Sequence, residues 1–398
     1  AEATNNTIRF TAMADGTHDN CTITVTDNAS NTSNPLDVRD FTIGAVKPAL
    51  VEVTPVPPYT NDNTSNYTFY STLSGTINYG VPGSCSSDND TAVGDDNNTI
   101  TFNALADGTY DNCTVSVTNN GIRSDNLSVS SFTIDTIAPT LDNVTIASSN
   151  SVSTLAKTSD RITLSITSVG AIQAPSVKIA GQTATVGSSS DNITWSAYYD
   201  MQSSVSEGTV SLNIGFSDLA GNPGDNVTST TDNATSVLFD KTPPTLDNVT
   251  IASSNSVSTL AKTGDNVTLS ITSSEVIQTP DIWIAGQNAT ETGSGTSWSG
   301  AYTMASNSEG PVSLRVDFSD LAGNAGTRVT STTDNATSVL FDRTSPILDE
   351  ITPVPTPTSD NESYYTFSSD EAGTIAYGGS CSSSTTAAEA TNNRIRFT

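Results

Sequence analysis

Apolar and polar residues alternate with a period of two along short runs of this chain. In "NVTLSITS", 266–273, Val267, Leu269 and Ile271 fall on one face, and Asn266, Thr268 and Ser270 on the other. "PVSLRVDF", 311–318, sets Val312, Leu314, Val316 and Phe318 against Ser313, Arg315 and Asp317. "NCTVSVTN", 112–119, alternates through Cys113, Val115 and Val117. Successive side chains of a strand point to opposite faces, so each run predicts a strand with one buried face. Turn-forming clusters such as "ADGT", "LAGN", "NNG" and "TPVPP" separate the runs. No segment carries a convincing helical period. The expected class is all-β.

The pattern itself repeats, which marks a tandem array. "TLDNVTIASSNSVSTLAKT" stands at 140–158 and again at 245–263. "FSDLAGN" recurs at 216–222 and 318–324, and "VTSTTDNATSVLFD" at 227–240 and 329–342. These define two B repeats, 138–242 and 243–345. An A repeat is whole only at 47–137. Residues 1–46 spell its C-terminal half, as "TIRFTAMADGTHDNCTITVTDN" against "TITFNALADGTYDNCTVSVTNN" shows. Residues 346–398 spell its N-terminal half, with "YYTFSSDEAGTIAYG" against "NYTFYSTLSGTINYG". "AEATNNRIRFT" at 388–398 repeats "AEATNNTIRFT" at 1–11 with one change. The expectation is a window from a longer chain of order A-A-B-B-A. The rival is a polymer in which the tail half of one chain and the head half of the next make one A domain. That rival duplicates one strand, because 388–398 and 1–11 spell the same one.

Units of about 90 and 105 residues with some six or seven strands read as immunoglobulin-like β-sandwiches. Trp195, Trp283 and Trp298 are expected as larger core fillers. The joints "DTIAPTLD", "DKTPPTLD" and "DRTSPILD" are Pro-rich. Proline fixes φ and removes a donor, so such joints are short and stiff, and sandwiches strung on them predict a linear rod.

Charge narrows the function classes. The net charge of −28 comes from 42 Asp and Glu against only 14 Lys and Arg. So few cations argue against nucleic-acid and anionic-membrane binding. No apolar run approaches a membrane span, so no membrane insertion is expected. Ser and Thr are about three residues in ten. Hydroxyls take the outward places that a cytosolic protein gives to Lys and Glu, which points to an extracellular or cell-surface setting.

Cys85 and Cys113 lie in the whole A repeat, and a bridge between them contributes about 3–4 kcal/mol by the loop-entropy estimate. Cys21 takes the place of Cys113 in the head, and Cys381 that of Cys85 in the tail. Their partners are expected outside this window or in a neighbouring chain. Bridges of this kind imply an oxidising compartment.

At this point the residues carry a resemblance. "PPTLDNVTIAS", "LAKTGDNVTLSITSSEVIQTPDIWIAGQ" and "EGPVSLRVDFSDLAGNAGT" resemble tandem bacterial Ig-like repeats of very large surface proteins, of adhesin or filament type. The A repeat resembles a partner repeat of the same proteins. The resemblance spans essentially the whole chain. It implies the sandwich fold and a place on a cell surface, and such repeats usually serve as spacers.

Three chemistries are weighed. Catalysis is not expected: the single histidine, His18, reads as a solvated turn residue, and no Ser-His-Asp set, phosphate loop or dinucleotide fingerprint occurs. N-glycosylation is the sharper signal. Asn-x-Ser/Thr occurs 19 times, at Asn5, Asn20, Asn28, Asn31, Asn63, Asn66, Asn89, Asn97, Asn112, Asn126, Asn143, Asn192, Asn226, Asn233, Asn248, Asn266, Asn288, Asn335 and Asn361. Asn20, Asn112, Asn143, Asn248 and Asn266 are expected on the outward parity of their strands, where a glycan meets water. Asn is a poor strand former, so its repeated use there needs a reason. Ca²⁺ is the third. Asp218, Asn222, Asp320 and Asn324 in the "FSDLAGN" loops, with Asp240 and Asp342 at the joints, offer oxygens such an ion takes. The other reading of these residues is turn formation. Lys157 and Lys262 sit among polar turn residues, which does not suit an isopeptide bond.

The reading is a structural repeat region of a long, N-glycosylated extracellular filament or fibre, partnered by other copies of the repeat along one chain or between chains. The alternatives are the spacer stalk of a giant adhesin, and a carbohydrate- or protein-binding module using loops 181–195 and 286–298, which differ between the B repeats.

Overall fold

The computed structural model describes residues 5–14, 16–44, 46–80 and 85–398. It is all-β: the described residues form strands, turns and loops, with no helix. The chain divides into two compact units, Ala1–Phe239 and Asp240–Thr398.

In the first unit, the A repeat folds into facing sheets. One carries Asp96–Thr101, Asn66–Ser71 and Leu50–Thr54, side by side and antiparallel. Opposite them lie Thr91–Ala92, Gly75–Tyr79 and Thr114–Asn119, and a ribbon in which Tyr59–Thr60 runs parallel to Phe132–Ile134. The alternation puts Tyr67, Phe69 and Ile100 of the first face against Ile77, Val115, Val117 and Phe132 of the second, all at most 4% exposed. Burying such side chains stabilises by about 1.5–3 kcal/mol each before chain entropy is set against it.

The first B repeat repeats the plan. Leu141–Ser148, Arg161–Ser168, Thr194–Asp200 and Thr185–Val186 make one sheet. Gln182–Thr183, Ser176–Ile179 and Leu212–Gly215 make the other. Leu155–Ala156 pairs in parallel with Leu238–Phe239. In immunoglobulin lettering this is A-B-E-D against C′-C-F, with A′ parallel to G. The Ig-like sandwich is therefore read directly from strand order.

In the second unit, Leu246–Ser253, Asn266–Ser273, Ser297–Thr303 and Thr290–Ser294 reproduce the first of these sheets, and Gln287–Asn288, Asp281–Ile284 and Leu314–Asp317 the second. Trp195 is buried and Trp298 half-buried, as core fillers are. Trp283 departs from expectation. It stands between buried Ile282 and Ile284, so strand parity turns it outward. There its ring carries the Arg315 guanidinium at 4.4 Å, and its Nε1 donates to Asp281 at 2.7 Å.

The two half-repeats fold as halves. In the head, Gly16–His18 pairs with Phe41–Ile43 and Thr22–Ile23 with Leu36–Asp37. In the tail, Leu348–Thr352, Tyr364–Ser369 and Asn392–Arg396 form a sheet, and Gly373–Thr374 pairs with Ala387–Ala388. The tail core holds three buried apolar residues, Phe367, Ala388 and Ile395, where the A repeat holds fifteen among its described residues. One layer alone leaves its apolar face open.

Candidate functional surface

All nineteen candidate glycan-acceptor asparagines are exposed. No described asparagine that is buried or half-buried, such as Asn78, Asn98, Asn222 and Asn393, is the acceptor of an Asn-x-Ser/Thr motif. Three of the five strand-parity expectations match the structure. Asn143, Asn248 and Asn266 lie in strands, and the residue after each (Val144, Val249 and Val267) is 0% exposed. Their Oδ1 atoms accept from Thr231 at 3.1 Å, Thr333 at 3.3 Å and Thr303 at 2.6 Å. Nδ2, the nitrogen that carries an N-linked sugar, is left outside those bonds. Asn20 and Asn112 stand before their strands rather than in them. Asn20 takes φ 57°, and Asn192, Asn233 and Asn335 are also left-handed, at 57°, 50° and 48°. Asn tolerates that backbone, so these four have a conformational reason to be Asn as well.

The "FSDLAGN" loops hold a clamp built from hydrogen bonds. In the first unit, Asp218 is 6% exposed; its Oδ1 accepts from the Asn222 main-chain N at 2.8 Å and its Oδ2 from Asn222 Nδ2 at 2.8 Å. The same Nδ2 donates to the Asp135 carbonyl at 2.7 Å. The two amide hydrogens thus tie loop to joint. Asp320, Asn324 and the Asp240 carbonyl repeat this in the second unit, at 2.7 Å and 3.0 Å. Buried carboxylates need such partners, and here main chain and amide supply them.

Of the six residues weighed for Ca²⁺, the structure brings Asp240, Asp320 and Asn324 together and keeps Asp342 elsewhere. Asp342 accepts from the Thr344 main-chain N at 3.0 Å and adds to the charge around Glu371. Sequence reasoning missed Glu275. Its carboxylate oxygen and those of Asp240 and Asp320 lie within 4.8 Å of one another. The first B repeat has Gly170 at that position, so the pair Asp218 and Asp135 has no third acid there. The comparison of the two copies was the signal available for Glu275. The Asp–Asn clamp accounts for the conserved loop residues in both copies without invoking an ion.

Cys85 and Cys113 are bridged, with Cα atoms 5.7 Å apart, and both are 1% exposed within the A-repeat core. Cys21 is half-buried and Cys381 exposed, and both are free thiols. His18 differs from a solvated turn residue. It closes the strand Gly16–His18, its ring lies 5.4 Å from that of Phe41, and its Nε2 is 2.8 Å from the Ala14 carbonyl. It occupies the place of Tyr110, which stacks on Phe132 at 5.2 Å. The Lys157 and Lys262 main-chain N atoms donate to Asp160 and Asp265, which fixes both in turns.

No family model matches the chain, and no curated protein does. Among solved structures it is similar to the D00-D0 domain of intimin, at 12% identity and a TM-score of 0.21, over 50% of this chain and 99% of that one. It is similar to the Bacteroides ovatus mixed-linkage glucan utilization locus protein SGBP-B, at 15% identity and a TM-score of 0.16, over 73% of this chain and 65% of that one. It is also similar to the plexin A4 extracellular region, at 11% identity and a TM-score of 0.22, over 88% of this chain and 29% of that one. Likenesses this slight carry no further argument.

Proposed function

We propose that this chain is a structural repeat region of a long extracellular filament or fibre, with N-linked glycans on its outward asparagines. The observation that carries the reading is the sorting of asparagine: the nineteen acceptors of Asn-x-Ser/Thr motifs are all exposed, and none of the described buried ones is an acceptor. The Cys85–Cys113 bridge supports an oxidising setting. Outward Ser, Thr and Asn with few cations suit a surface covered by sugar rather than one that recruits an anionic partner.

The test is glycopeptide mass spectrometry on protein from its natural source, after enzymatic release of N-glycans in heavy-oxygen water. Labelled Asp at the positions of Asn143, Asn248 and Asn266 is the expected result. Unmodified Asn at all nineteen positions sinks the glycan part. Electron microscopy of the same material tests the rest: regular fibres agree with the reading, and thin stalks ending in a distinct head assign the chain to a spacer.

A further inference from the structure

The outer face of one sheet differs between the two B repeats in a paired way. In the second repeat, Trp283 lies on the middle strand, Asp281–Ile284, directly opposite Asn288 on one side and Arg315 on the other. Asn288 opens an Asn-Ala-Thr motif and is exposed, while the next residue, Ala289, is 6% exposed and turns inward. In the first repeat the same register sets Lys178 opposite Thr183 and Asn213. Acceptor and tryptophan are thus present together in one copy and absent together from these positions in the other. The first repeat keeps an acceptor on this face at Asn226, a place that Arg328 takes in the second.

Trp283 is held in one pose. Its Nε1 donates to Asp281 Oδ1 at 2.7 Å, and the Arg315 guanidinium lies 4.4 Å from its ring centroid. Arg315 is itself anchored by Asp281 at 3.1 Å and by Asp317 at 3.0 Å, and Arg328 reaches Asp317 at 2.6 Å. The first repeat has none of these five residues at the matching places. Two arginines and two aspartates therefore fix one outward ring. Arg315 takes one face of that ring, and the other face is on the Asn288 side. Directly opposed residues of neighbouring strands hold their Cβ atoms about 4.5–5.5 Å apart, so the first sugar on Asn288 reaches the indole.

We propose that Trp283 is the platform on which the first sugar of an N-linked glycan at Asn288 stacks. The C–H face of a pyranose lies against the indole face that Arg315 leaves open, and the sugar hydroxyls stay in water. Attachment joins sugar C1 to Asn288 Nδ2. The C1–O bond of a glycosyl phosphate donor breaks, the phosphate leaves with the bonding pair, and Nδ2 gives up one proton. Stacking removes apolar ring surface from water and stiffens Gln287–Asn288, the edge strand of its sheet. The assignment rests on the N-glycan reading and adds to it the residue that holds the sugar.

Glycopeptide mapping of protein from its natural source is the first arm of the test, and sugar at Asn288 is the expected result. Sugar at Asn143, Asn248 and Asn266 with Asn288 bare overturns this proposal and leaves the glycan reading standing. Nineteen bare asparagines overturn both. The second arm uses the 398-residue chain secreted by a host that attaches N-linked sugars, as the unaltered chain, Trp283→Lys, Asn288→Thr and the double variant. Each substitution brings in the residue that the folded first repeat carries at that place. In the unaltered chain the indole ring current shifts the protons of the Asn288 sugar upfield, and Trp283→Lys abolishes the shift. Amide exchange in Gln287–Asn288 quickens on Trp283→Lys about fivefold more when Asn288 carries sugar than in the Asn288→Thr background, the worth of several dispersion contacts. Equal quickening in both backgrounds, or unshifted sugar protons, overturns the proposal. So does a shifted sugar signal that survives Asn288→Thr, which would mean that Trp283 takes a sugar from another molecule.

Discussion

Ile282 faces Gly300 across the core of the second B repeat, and a Cβ on Gly300 would lie 2.6 Å from Ile282 Cγ2. The first B repeat has Val177 and Ala197 at these two positions. Both residues there are buried, at 3% and 0%. One copy carries the extra methyl on one sheet, and the other copy carries it on the opposite sheet. Two otherwise near-identical sandwiches thus reach the same filling by different routes.

That exchange gives the first prediction. Gly300→Ala alone overpacks the core and costs about 1–3 kcal/mol. Adding Ile282→Val removes only Cδ1 and keeps Cγ2 and Cβ, the atoms that a Cβ on Gly300 would meet at 2.6 and 2.9 Å, so it recovers little of the loss. Urea unfolding followed by residue-level hydrogen exchange isolates the second B repeat from its neighbours, which a single melting temperature of a multidomain chain does not. Full recovery in the double variant refutes the packing argument.

The clamp at the joint gives the second. Asn324→Ala takes from buried Asp320, 1% exposed, its bond from Nδ2, and takes the same donor from the Asp240 carbonyl. The expected cost is about 1–3 kcal/mol. Asn222→Ala does the same in the first unit. Because hydrogen bonds close the clamp, the losses are the same in chelator and in millimolar Ca²⁺. A Ca²⁺-dependent loss confined to variants of Asp240, Glu275 and Asp320 would instead assign an ion to that group.

Reduction of Cys85–Cys113 is the third. It destabilises the A repeat by about 3–4 kcal/mol and leaves both B repeats, which contain no cysteine, unchanged. Hydrogen exchange with and without reductant reads this directly. Protection lost evenly along the chain would mean that the repeats do not hold separate cores.

The fourth concerns pH. The Asp232 carboxyl is held below its usual range, first by the Thr235 hydroxyl and then by the Thr235 and Ala234 main-chain N–H groups. Asp334 is lowered in the same way by Thr337 and Ala336. A carboxyl lowered on folding adds stability above its unfolded value, about 4, and that stability is lost as pH falls below it. Glu371 is raised, first by desolvation and then by Asp342, Asp370 and Glu309. Its sign is opposite: it destabilises the folded tail as pH rises through the carboxylate range. Glu371→Gln therefore raises the stability of the second unit at neutral pH, and the gain vanishes below about pH 4. Asp334→Asn shows the reverse: a loss at neutral pH that disappears in acid.

The sequence by itself determined the strands and the layer architecture, because a period of two and its turn punctuation act over a few residues. It also placed the Cys85–Cys113 bridge, since the pair recurs at matched strand positions, and the outward parity of Asn143, Asn248 and Asn266. Tertiary structure decided the rest. Trp283 faces water beside Arg315 because its neighbours Ile282 and Ile284 claim the core side of that strand. Glu275 joins Asp240 and Asp320 only when segments 35 and 45 residues apart in sequence are folded onto one corner. Asn222 proves to be a donor between a carboxylate and a distant carbonyl, a role no local pattern shows. Ile282 and Gly300 belong to different sheets, and their complementary volumes have meaning only across a packed core. Local periodicity fixes which side of a strand is buried; which residue it then meets depends on contacts that only the closed sandwich makes.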